Sequence, residues 1–144
     1  MFRKITLAYN ESPEAQRALL SAIQLAKSLN AELHTVTVLP SLPAYTAYAA
    51  AVDASLSQVL LNDQVNFYEA LQEKARALAR QYDIELACHL IEGSEVEAIV
   101  SFVRHQKADL LVMGLHQRDL YVARLWSTVY EMAQEAPCSV LGVH

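Results

Sequence analysis

The sequence predicts a single α/β domain, a three-layer sandwich in which a five-stranded parallel sheet, order 3-2-1-4-5, carries helices on both faces. Three observations lead there. Five short apolar runs of strand length alternate with stretches of helical period along the 144 residues. Three of those helical stretches open on capping signals. The chain is also long enough to bury roughly two thirds of its unfolded surface as one domain. Such alternation calls for right-handed crossovers between parallel strands.

The elements follow in order. Ile5-Thr6-Leu7-Ala8-Tyr9 is an apolar run suited to a strand covered on both faces. Ser12-Pro13-Glu14 starts a helix, with Ser12 as N-cap and Pro13 at the first helical position. Its apolar stripe is Ala15, Ala18, Leu19, Ala22, Leu25, Ala26 and Leu29, and Asn30 is the expected stop. Glu32 to Leu39, rich in Val and Thr, is a second strand. From Pro40 to Asn62 the pattern is weak and reads as a mobile loop grading into helix, with Tyr45 and Tyr48 as loop anchors. A clear helix then turns Phe67, Leu71, Ala75, Leu78 and Tyr82 inward, and Ile84 to Ile91 is a third strand. Ser94-Glu95-Val96-Glu97 is a capping box before a helix with Val96, Ile99, Val100 and Val103 inward. Ala108 to Met113 is the most continuously apolar strand, as a central one should be. Thr128-Val129-Tyr130-Glu131 is a second capping box, opening a helix that stops before Pro137, and Cys138 to Val143 is the last strand.

Composition excludes several functions. No uncharged run long enough to span a bilayer is present, since two prolines, Asp53 and several hydroxyls interrupt the Ala-rich stretch after Pro40. Met1-Phe2-Arg3-Lys4 leads straight into a strand without an apolar signal core, so a cytoplasmic location is expected. A net charge of −5 without a basic cluster argues against nucleic acid or a membrane as partner. Cys88 and Cys138 sit in separate strand-like runs, which predicts reduced, buried thiols and no metal site.

Ligands of such sheets bind outside the carboxyl ends of the strands, where the strand order reverses. The candidate residues are therefore Tyr9-Asn10-Glu11 after the first strand and Gly114-Leu115-His116-Gln117 after the fourth.

At this point a family resemblance emerges. Ile5 to Glu14, Glu92-Gly93-Ser94 with the helix after it, Ala108 to Gly114, and Ala136-Pro137-Cys138-Ser139-Val140-Leu141 resemble, in order and spacing, the signatures of the universal stress protein family. The resemblance implies an adenine-nucleotide site, with ATP or AMP as the ligand. Nucleotide-binding members carry Gly, two residues, Gly, nine residues, then Gly followed by Ser or Thr. Here the first glycine is Gly114, the second position is Gln117, the nine residues run from Arg118 to Trp126, and the third position is Ser127 before Thr128. Two of the three glycines that would let backbone amides meet phosphate are absent. The family's acidic residue is Asn10 here, and the glycine after it is Glu11. By the same resemblance Ala8, Met113, His116 and Val129 border the site, and an adenine-contacting position falls at Thr37 or Val38. Arg118 and Arg124 are candidates to supply the charge that the missing glycine amides do not.

No Gly-x-Ser-x-Gly elbow, His-x-Gly-His phosphate motif or receiver-type aspartate is present, so no catalysis is expected. The expected function is that of a stress-response module acting through a protein partner, with weak or no ATP binding; the alternative is an ATP- or AMP-binding regulator with a non-standard loop. Ser139, Val140, Leu141, Gly142 and Val143 form an edge without charge or proline, which predicts a homodimer through the last strand.

Overall fold

A computed structural model describes residues 1–40, 45–115 and 128–144, the side chains of 45, 46, 49 and 50 excepted. The elements run β1 (Lys4–Ala8), α1 (Pro13–Leu29), β2 (Glu32–Val38), α2 (Tyr45–Val52), α3 (Ala54–Gln81), β3 (Leu86–Ile91), α4 (Glu95–Gln106), β4 (Leu110–Gly114), α5 (Thr128–Glu135) and β5 (Ser139–Val143). The strands form one parallel sheet in the order β3-β2-β1-β4-β5. Fold class and strand order are as the sequence predicts.

Side chains alternate across the sheet, so each strand feeds two cores. Ile5, Leu7, Leu33, Leu86, Leu110 and Val112 pack under α1 and α3, where alanines of both helices allow close approach. Val36, Leu111 and Met113 pack under α4 and α5, against Ile99, Val100, Val103 and Met132. The amino ends of β1 and β4 are tied by Asp109, whose carboxylate accepts from the amides of Arg3 (2.8 Å) and Lys4 (3.1 Å). Helix stops follow turn chemistry: Asn30 and Lys107 take left-handed φ values of 52° and 54°.

Four expectations need correction. Residues 40–62 are not a loop grading into helix: two helices, α2 and α3, occupy most of this stretch. Asp53 caps the second of them: it accepts from Ser55 N at 3.0 Å and Ser55 Oγ at 2.7 Å. The buried stripe of α3 is Tyr68, Gln72, Ala75 and Ala79, so Phe67 is exposed instead of inward. The apolar-only reading missed this phase because Gln72 is polar; its Nε2 donates to the His89 carbonyl at 2.8 Å. Ser94 has cap geometry but no side-chain cap bond, and the Ala98 amide is taken by its carbonyl at 2.8 Å. Thr128 lies within α5, not as a cap before it.

Candidate functional site

β1 and β2 lie side by side with Ala8 opposite Val36, and β1 and β4 with Ala8 opposite Met113. The carboxyl ends of the strands thus share one edge, and strand order reverses at β1. A cleft of about 380 Å³ opens there on the α4 side of the sheet. Its floor is apolar: Ala8, Val36, Val38 and Ile99. Its rim is the chain leaving β1 (Tyr9, Asn10, Glu11), the chain leaving β2 (Leu39, Pro40), Tyr68 of α3, and the start of α4 (Gly93, Ser94, Glu95).

Each rim residue has a local reason for its place. Asn10 Oδ1 accepts from Ser12 N at 2.9 Å, a turn that delivers Ser12 to cap α1, where its Oγ accepts from Ala15 N at 3.1 Å. Tyr9 is buried and donates its hydroxyl to Gln16 Oε1 at 3.0 Å; burial raises its phenol above the ordinary value. Tyr68 is buried as well, and burial, with the neighbouring Glu11 carboxylate, raises its phenol above the ordinary value. Glu11 and Tyr68 therefore stand together on the cleft rim. Gly93 has φ +128°, a backbone region hard for any side chain, and this turn lets α4 begin beside the cleft. The two charged residues among the described lining are both carboxylates, Glu11 and Glu95.

Of the residues the sequence singled out, Ala8, Tyr9, Asn10, Glu11 and Val38 line the cleft. Thr37, the other choice of register, does not line it; it is buried with its hydroxyl unpartnered among the described groups. Met113 is buried in the core, Val129 packs against that core, and Thr128 is exposed within α5. Gly114 has a packing role: a Cβ there would lie 2.6 Å from the Glu14 carbonyl carbon and 2.7 Å from its oxygen. His116, Gln117, Arg118, Arg124 and Ser127 lie outside the described residues.

Sequence reasoning missed Val36, Leu39, Pro40, Tyr68, Gly93, Ser94, Glu95 and Ile99 as lining residues. For Tyr68 the signal existed in the i, i+4 spacing to Gln72, once a polar residue is allowed in the buried stripe.

A doubly wound parallel sheet with an apolar-floored cleft at its strand-order reversal places the chain in the class of open α/β domains that bind ligands at the carboxyl ends of their strands. More particularly, the chain belongs to the universal stress protein family, whose family model matches residues 1–144. It is 28% identical over 144 residues to the universal stress protein MJ0531 of Methanocaldococcus jannaschii, covering 99% of this chain and 82% of that one. The fold is that of UspA from Lactobacillus plantarum, with TM-score 0.79 at 20% identity over 99% of this chain and 98% of that one. It is also that of a universal stress protein solved in complex with cAMP, with TM-score 0.74 at 23% identity over 99% of this chain and 97% of that one. Among the described residues, no helix is long and apolar enough to cross a membrane.

Proposed function

We propose that this chain is a cytoplasmic stress-response module that works as a homodimer through protein contact, with a cleft that holds adenine nucleotides weakly or not at all. The observation that carries the reading is the pair of carboxylates, Glu11 and Glu95, on the rim of the cleft, with no cation among its described lining residues. A phosphate placed there meets negative charge where the family pattern has glycine. At an effective dielectric near 20, one like-charge pair about 6 Å apart opposes binding by roughly 2–3 kcal/mol before screening. Gln117 and Ser127 add side chains where glycine backbone would otherwise approach phosphate.

A second reading, a regulator that binds ATP or AMP, is favoured by the apolar floor of Ala8, Val36, Val38 and Ile99, which offers a surface to a base. That the relative mentioned above was solved with cAMP supports it too. Mass spectrometry of the purified protein, with its absorbance ratio, separates the two. The proposed reading expects no retained nucleotide; near-stoichiometric ATP or AMP overturns it.

Dimerisation rests on β5, which pairs with β4 on one side and leaves Leu141 39% exposed, with Ser139 and Gly142 also exposed. Sedimentation should give a dimer for the wild type and a monomer for Val140→Lys at tens of micromolar. A monomeric wild type contradicts the dimer.

A further inference from the structure

The amino half of α3 and the helix before it carry an apolar face. Leu56, Val59, Leu60 and Phe67 are 44%, 53%, 38% and 55% exposed, and their spacing puts them in one stripe of α3. Tyr48 and Val52 of α2, which packs on α3, are exposed as well, at 79% and 88%. Together the six leave on the order of 500 Å² of apolar surface in water, at the upper end of what a monomer shows. This compares with the ~800 Å² that each side of a standard interface covers. The arm is anchored at its base, where Gln64 Nε2 donates to the Pro40 carbonyl at 3.0 Å and Tyr68 enters the core.

Charge decides among occupants. Residues 28–73 contain no lysine or arginine, so the arm lacks the cationic flank that surface-lying membrane helices use. Asp63 is exposed and falls inside the stripe, between Leu60 and Phe67. An antiparallel pairing of two copies would bring both Asp63 carboxylates into one apolar contact, an unfavourable arrangement of like charges. A partner helix with its own apolar stripe and a cation opposite Asp63 meets both features.

We propose that the α2–α3 arm is the docking surface for an amphipathic helical segment bearing Lys or Arg on its apolar face. This rests on the reading of the chain as a contact module and names the chemistry of the contact.

The test uses the full chain and two fluorescent helical peptides with one leucine stripe, differing only in an arginine or a glutamate placed within it. Anisotropy should show the arginine peptide binding about 5-fold more tightly, the size of one exposed ion pair. Asp63→Lys should reverse that preference. Leu60→Ser with Phe67→Ser should weaken both peptides at least about ten-fold, as loss of apolar anchors does. Circular dichroism verifies that these surface variants fold. Absence of binding at about 200 μM overturns the proposal, as does a preference that Asp63→Lys leaves unchanged. Wild-type self-association abolished by Leu60→Ser and retained in Val140→Lys would assign the arm to a second copy and overturn it too. Tight ATP binding would sink the proposed function while leaving the peptide result to stand or fall by itself.

Discussion

Gly114→Ala is expected to destabilise the domain through a contact that has nothing to do with ligand. The added Cβ would sit 2.6 Å from the Glu14 carbonyl carbon and 2.7 Å from both its oxygen and its Cβ. Carbon atoms in packed contact stand about 3.5–4.0 Å apart, so roughly 1 Å of separation must open between β4 and the first turn of α1. That turn cannot retreat freely. Ser12 caps it, Asn10 braces Ser12, and Ala15 and Ala18 are buried against the sheet. Overpacking of this kind costs about 1–3 kcal/mol. For a domain of this size each kcal/mol lowers Tm by about 4 °C, so the expected fall is roughly 4–12 °C. Gly142→Ala is the internal control, because the three atoms nearest its new Cβ all belong to the Leu115 side chain, at 2.7–2.9 Å, which can rotate away. Differential scanning fluorimetry of both variants checks the argument. A Gly114→Ala protein with wild-type Tm, or a larger loss at Gly142, would refute it.

Two further outcomes follow from half-buried titratable groups, among them Cys88 and Cys138, which are less buried than the sequence suggests. Burial, and then the neighbouring His34 ring 3.1 Å away, hold the His89 imidazole below its ordinary 6.5. The unfolded chain then takes up this proton first, so the contribution is complete above that value and is lost as pH falls through 6.5 toward the folded value. Urea midpoints should fall with acidification in this window, with a shallower slope in His89→Gln; equal slopes contradict the assignment. Burial likewise raises the Cys88 and Cys138 thiols, so an aromatic disulfide reagent at about pH 8 should label the folded protein at least ten-fold more slowly than the chain in urea. Equal rates would contradict it.

The fold was legible because its signals are local. Pro13 after Ser12, Asn30 as a stop and the run from Leu110 to Met113 each specify an element without reference to the rest. What was misread depended on partners distant in sequence. The phase of α3 is set by Gln72 reaching the His89 carbonyl, and the apolar period alone selects Phe67 instead. Residues 40–62 looked irregular because alanine is apolar and helix-forming at once, and because Asp53 signals a helix start only when Ser55 answers it. At the site, the positions after β1 were visible from topology, whereas Tyr68 and Glu95 come from helices whose placement requires the assembled sheet. Gly114 matched a phosphate-loop pattern, yet its contact with Glu14 is reason enough for glycine there.

The central claim, that charge and side chains at the phosphate end of the cleft oppose nucleotide, is tested most directly by calorimetry with ATP and with adenosine. The wild type is compared with a Glu11→Gly, Gln117→Gly, Ser127→Gly variant. The account predicts that the triple variant gains about ten-fold or more in affinity for ATP and distinctly less for adenosine, which has no phosphates to place. A wild type that binds ATP below about 10 μM, or a folded triple variant that gains nothing for ATP, would contradict it.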